Sequence, residues 1–170
     1  MKMTSAYANK LIKKLSEDKD FWCNKERNSC TYTAAVDEEP VIPEYDFSEV
    51  SGKIAEIDEK IVKIKHAINV TNSTSVIEVG EKRMTIDEVL VRMAQMTRRK
   101  AFLDMLRKRE PKERINSGIY SSRKTAPEYE YINYDLDLVK AEYGRVDEEI
   151  AAMQMALDKY NQTFEFEVNY

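Results

Sequence analysis

The chain has 170 residues, a net charge of −4 and 34% charged residues, the size of a single domain that can bury a core without disulfide or metal staples. Charge this dense beside regular apolar seams suits long solvated helix faces rather than disorder. No apolar run approaches a membrane span and the N-terminus lacks the unbroken apolar stretch of a signal peptide, so a cytoplasmic protein without a membrane partner is expected.

The first element is a shorter, less regular amphipathic helix around Ala8, Leu11, Ile12, Leu15 and Trp22. Cys23 and Cys30, with six residues between them, match no common zinc spacing and read as reduced thiols. From residue 45 the pattern sharpens. Val50, Ile54, Ile57, Ile61, Ile64 and Ile68 step by fours and threes, the spacing that keeps one stripe of a helix against a partner helix. Asp46 and Glu49 form a capping box at its start. Glu56/Lys60 and Glu59/Lys63 support its wet face. Asn72 is expected to close it in the left-handed conformation, and Val76–Val79 reads as a short strand.

A second capping box, Thr85-Ile-Asp-Glu88, opens a helix with Ile86, Val89, Leu90, Met93, Met96, Leu103 and Leu106 on its seam. Lys100 interrupts that seam, with a stem that covers apolar surface while its charge reaches water. A long connection leads to residues 134–168, which repeat residues 45–79 with 11 identities in 35 positions. The repeat carries a seam of Leu136, Val139, Tyr143, Val146, Ile150, Met153, Leu157 and Tyr160, an expected closure at Asn161, and a second alternating segment at 164–168. Each repeat helix, at about 25 residues, spans roughly 37 Å and must bury its stripe on other helices. An internal duplication takes precedence over motifs because it fixes the architecture. The expectation is a mainly all-α domain over 1–170: an antiparallel four-helix bundle of two long hairpins, with a small β element made by the Val76 and Phe164 segments. Ile61 and Ile150, equivalent and central, are expected to be buried.

Catalytic chemistry has little to work with. His66 is the only histidine and falls on the face opposite Ile64 and Ile68, so a histidine dyad within one chain is excluded. Gly52, Gly80, Gly118 and Gly144 are scattered singly, with no phosphate-cradling loop. Asp147-Glu148-Glu149 resembles a run of metal ligands, but consecutive helix positions point about 100° apart, as on a solvated face. Met93, Met96 and Met153 read as adaptable core filler. Catalytic, cofactor-binding and metal residues are therefore none, and no cofactor is expected.

One segment departs from the average. Residues 98–124 hold ten cations against Asp104, Glu110 and Glu113, a local +7 in a chain of −4. Arg98, Arg99, Lys100, Arg107, Lys108, Arg109, Arg123 and Lys124 are the candidate contacts for an anionic ligand. Tyr120, Tyr129, Tyr131 and Tyr134 follow, and cations beside aromatics can neutralise phosphates and stack bases. Cations near a helix C-terminus also complement its dipole, and a basic segment can pair with the acidic remainder. With a pI near 5.3, that pairing is the preferred reading.

The Ile68-Asn-Val-Thr-Asn72 helix ending, the capped helix over 85–106 and the last helix reaching Asn161 resemble an uncharacterised bacterial family of all-helical proteins of unknown function, some labelled septicolysin. The resemblance covers most of the chain and departs at 107–127 and 30–43, where the connections are longer. It implies the helical fold and no catalytic residues. The label implies a membrane-active toxin, which the absence of a long apolar segment opposes. Three classes of function follow: a non-enzymatic assembly protein that forms a homo-oligomer, a nucleic-acid or phosphate-ligand binder using 98–124, and an enzyme whose carboxylate and tyrosine site forms between subunits. Regular, isoleucine-rich seams favour the first.

Overall fold

A computed structural model describes residues 1–115 and 127–169. Among them the order is β1 (Lys2–Thr4), α1 (Ser5–Ser29), α2 (Phe47–Thr74), β2 (Val76–Val79), β3 (Lys82–Thr85), α3 (Ile86–Arg107), β4 (Lys112–Arg114), β5 (Tyr129–Tyr131), α4 (Leu136–Thr163) and β6 (Glu165–Glu167). The fold is mainly α with a small β component. The chain divides into two compact units, Met1–Ile77 with Leu157–Tyr170, and Glu78–Ala156.

In the first unit α1 and α2 run antiparallel. Lys19 donates to both carboxylate oxygens of Asp58 at 2.7 and 2.8 Å, and Tyr45 Oη meets Glu26 Oε1 at 3.4 Å. The N-terminal helix has 25 residues against 28 in α2, and it runs past Trp22 to Ser29. Its half-buried line continues through Lys19, Trp22 and Glu26, and two polar residues on that line hid the later turns from an apolar-pattern reading. Met3, Ala8, Ile64, Phe166 and Val168 form the core here, with Leu11, Ile12, Leu15, Ala67 and Ile68 packed on it.

Strand pairing corrects the expected β element. Phe166 lies opposite Met3 in an antiparallel β1–β6 pair, flanked by Lys2 opposite Glu167. The Val76 segment pairs instead with β3, across a turn in which Gly80 takes φ +59°. Glycine at the first position of a two-residue turn is what a tight hairpin requires, so a glycine read as isolated was the hairpin signal.

Helix starts follow the sequence. Asp46 accepts from Glu49 N–H at 2.7 Å, the reciprocal box of Thr85 and Glu88 is complete, and Asp135 accepts from Asp137 and Leu138 N–H at 2.8 and 3.2 Å. Helix ends differ. Neither Asn72 nor Asn161 is left-handed, since no described non-glycine residue has positive φ. The helices run two residues further, to Thr74 and Thr163, whose hydroxyls donate to the carbonyls of Val70 and Lys159 at 2.9 and 2.7 Å. The chain leaves α2 through Ser75 in an extended conformation, φ −82° and ψ 128°, rather than through a left-handed residue.

Burial also corrects the seam. On α2 the buried residues are Val50, Ile57 and Ile64; Ile61 and its counterpart Ile150 are only half-buried. On α4 the buried set is Val146, Met153, Leu157 and Tyr160, and on α3 it is Ile86, Val89 and Leu103. Leu90, placed on the α3 seam by sequence, is 47% exposed.

Candidate functional site

The largest clusters of ion pairs among the described residues lie in the second unit, where α3 and α4 run antiparallel and Tyr134 Oη donates to Leu106 O at 2.7 Å. Tyr143 is the centre of one cluster. The Arg107 guanidinium stands 4.0 Å from its ring centroid and Lys100 Nζ 5.6 Å from it. Arg107 also donates to Asp104 at 2.8 Å, Lys108 reaches the same carboxylate, and Lys100 reaches Asp147. Bonds from Lys108 and Arg107 hold the Asp104 carboxyl below its ordinary range. The same kind of bond, to Asp147 and Asp104 respectively, raises Lys100 and Arg107.

Glu149 organises a second cluster. Arg92 Nε donates to it at 2.8 Å, Arg145 Nη1 at 3.0 Å and Lys82 Nζ at 3.5 Å. Its side chain is 19% exposed, and the Arg92 bond, more than any other cause, pulls its pKa down. A carboxylate held in this way stays ionised near neutral pH and has no proton to give as a general acid. A groove of about 360 Å³ runs beside it, lined by Met84, Asp87, Glu88, Val91, Arg92 and Gln95. This hub escaped a sequence reading because Lys82 and Arg92 lie far from Glu149 along the chain, while Glu149 sits in an acidic run that looks solvated throughout. Asp147 and Glu149 in fact engage different cations.

The candidate cations do not gather into one site. Lys100, Arg107 and Lys108 are bound to the carboxylates above, and Arg109 reaches Glu130 at 3.4 Å. Arg99 stands 5.8 Å from the Phe102 ring, and Arg98 is exposed with no ion pair among the described residues. Arg123 and Lys124 lie outside the described residues. His66 is exposed, and Cys23 and Cys30 are free thiols.

Two cations outside that candidate set are placed with tyrosines. Strands β4 and β5 pair antiparallel with Lys112 opposite Tyr131, Glu113 opposite Glu130 and Arg114 opposite Tyr129. Ile115 N–H to Glu128 O at 2.9 Å and Ile132 N–H to Pro111 O at 3.3 Å extend the ladder at either end. The sequence signal was the matched alternation Lys-Glu-Arg and Tyr-Glu-Tyr, two three-residue strands with glutamate at each centre.

No family model matches the sequence, and no curated protein matches it either. Among solved structures the chain is similar to a functionally unknown conserved protein from Corynebacterium diphtheriae, with a TM-score of 0.63 at 13% identity, covering 98% of this chain and 100% of that one. At that identity the likeness is one of fold.

Proposed function

We propose that the protein is a non-enzymatic helical assembly component that associates with copies of itself. The observation behind this reading is an apolar line on α3 that faces water. Val91, Phe102 and Met105 fall on one side of that helix and are 59%, 49% and 45% exposed, with Arg98 between them. Arg98 divides that side into a Val91 end and a Phe102–Met105 end, and exposed apolar groups gathered on one helix face mark an interaction site more than scattered single ones do. The free, exposed thiol of Cys30 suits a reducing cytoplasm, where this reading places the protein. The septicolysin resemblance supports the helical architecture and contributes no activity; among the described residues no helix is long and apolar enough to cross a membrane.

The test is size-exclusion chromatography with light scattering on the wild type and on Phe102→Glu. The wild type is expected above the 19.9 kDa of one chain. Phe102→Glu is expected to elute as a monomer with its helical circular dichroism intact, because a carboxylate in a buried apolar contact is strongly disfavoured. An oligomer unchanged by Phe102→Glu would move the interface away from α3.

A further inference from the structure

The β4–β5 ribbon has two chemically different faces. Directly opposed residues share a face, as do residues two apart on one strand. Lys112, Arg114, Tyr129 and Tyr131 therefore occupy one side, and Glu113 and Glu130 the other. All six are exposed, the tyrosines by 39% and 61%. A ribbon selected only for its own stability would set cations against glutamates. This register sets the two glutamates against each other, an unfavourable pair, offset among the described residues by Arg109 at 3.4 Å from Glu130. What that arrangement gains is a face of cations and aromatic rings alone.

From this we infer that the Lys112, Arg114, Tyr129 and Tyr131 face binds single-stranded nucleic acid. The tyrosine rings stack bases and the two cations neutralise the adjoining phosphates, the combination that single-strand binders use without reading sequence. The ring centroids are 6.5 Å apart, about twice the roughly 3.4 Å advance per nucleotide of a stacked strand. Two bases splayed from an extended strand fit that spacing; two stacked neighbours do not. Lys112 Nζ lies 4.1 Å from the Tyr129 centroid and 5.5 Å from that of Tyr131. An exposed cation–π contact is weak enough for a base to displace, which releases the ammonium toward the phosphate. The face carries no aliphatic side chain, which favours a nucleic acid over a lipid surface. The inference uses none of the α3 residues proposed for self-association.

The experiment is fluorescence anisotropy of short labelled oligo-dT and oligo-U with the full chain, at low and then raised salt, beside co-sedimentation with anionic vesicles. Both oligomers are expected to bind, with a log–log salt slope of about −1.4 for two neutralised phosphates on a single strand. Tyr129→Ala with Tyr131→Ala is expected to weaken binding by roughly 30-fold or more, since each lost base stack is worth about 5- to 150-fold. The two Tyr→Phe substitutions should retain it. Lys112→Gln with Arg114→Gln leaves both rings in place and should flatten the salt slope, so the test stands even where the alanine pair disturbs the ribbon. Absence of oligonucleotide binding, binding indifferent to the glutamine pair, or binding to vesicles alone would overturn the inference.

Discussion

Ile64 and Ile61 sit three residues apart on the same helix, yet Ile64 is fully buried and Ile61 is not. Ile64→Ala is expected to cost about 2–5 kcal/mol, the range for truncating a buried isoleucine. Ile61→Ala should cost markedly less, and exposed His66→Ala should fall within about 0.5 kcal/mol. Urea denaturation of the three variants checks the order; Ile61 as the most damaging would contradict the assignment of the helix face. Tyr160 makes a different point. Its ring stacks on Phe164 at 4.8 Å, but its hydroxyl is buried. Burial raises its pKa; Ser75 pulls the other way, although among the described residues no group meets the hydroxyl in hydrogen-bonding geometry. Tyr160→Phe removes a desolvated polar atom and keeps the packing, so thermal unfolding should show equal or higher stability. A clear loss would mean that the hydroxyl is satisfied in solution. At this scale the sequence shows that the seam exists but not which of its two alternating rows turns fully inward, because that depends on the side chains of the partner helix.

At the scale of elements, starts were more legible than ends. Asp46, Thr85 and Asp135 accept the backbone N–H groups that any helix leaves open at its start, and such caps are local in sequence. The helices end two residues beyond Asn72 and Asn161, at Thr74 and Thr163, because an asparagine tolerates the left-handed closing conformation without imposing it. Strand partners were the least legible, because β1 and β6 come from opposite ends of the chain. Ion pairs along α3 and between α3 and α4 give an acid-dependence of known sign. Glu149 lies below its ordinary pKa of 4.5, chiefly through Arg92, and Asp104 is lowered by Lys108 and Arg107. A folded-state pKa below the unfolded value contributes stability that is present above the unfolded pKa and lost as pH falls through the folded one. Melting temperature should therefore hold on acidification from neutral pH and fall once pH passes below the ordinary carboxylate range. Glu149→Gln should weaken that decline. A melting temperature that rises in acid would contradict the ion-pair assignment.

For the molecule as a whole, a chain of net charge −4 holds its locally basic segment in check with its own carboxylates: Lys100, Arg107, Lys108 and Arg109 each meet an Asp or Glu. The excess of cations was legible from composition, and so was Asp104 beside Arg107 and Lys108; the partners of Lys100 and Arg109 were not, since Asp147 lies far downstream and Glu130 across a strand pair. The same limit applies to the ribbon, where only the register reveals which cations face tyrosines. Val91, Phe102 and Met105 on α3 are among the exposed large apolar side chains, with Phe21, Val62 and Leu138 on other helices, and the proposed self-association has a second copy cover the α3 group. Sedimentation equilibrium of the wild-type chain over a range of concentrations tests that most directly. A mass that rises toward a multiple of 19.9 kDa with increasing concentration is expected, and a constant monomer mass at the highest concentration would contradict the account.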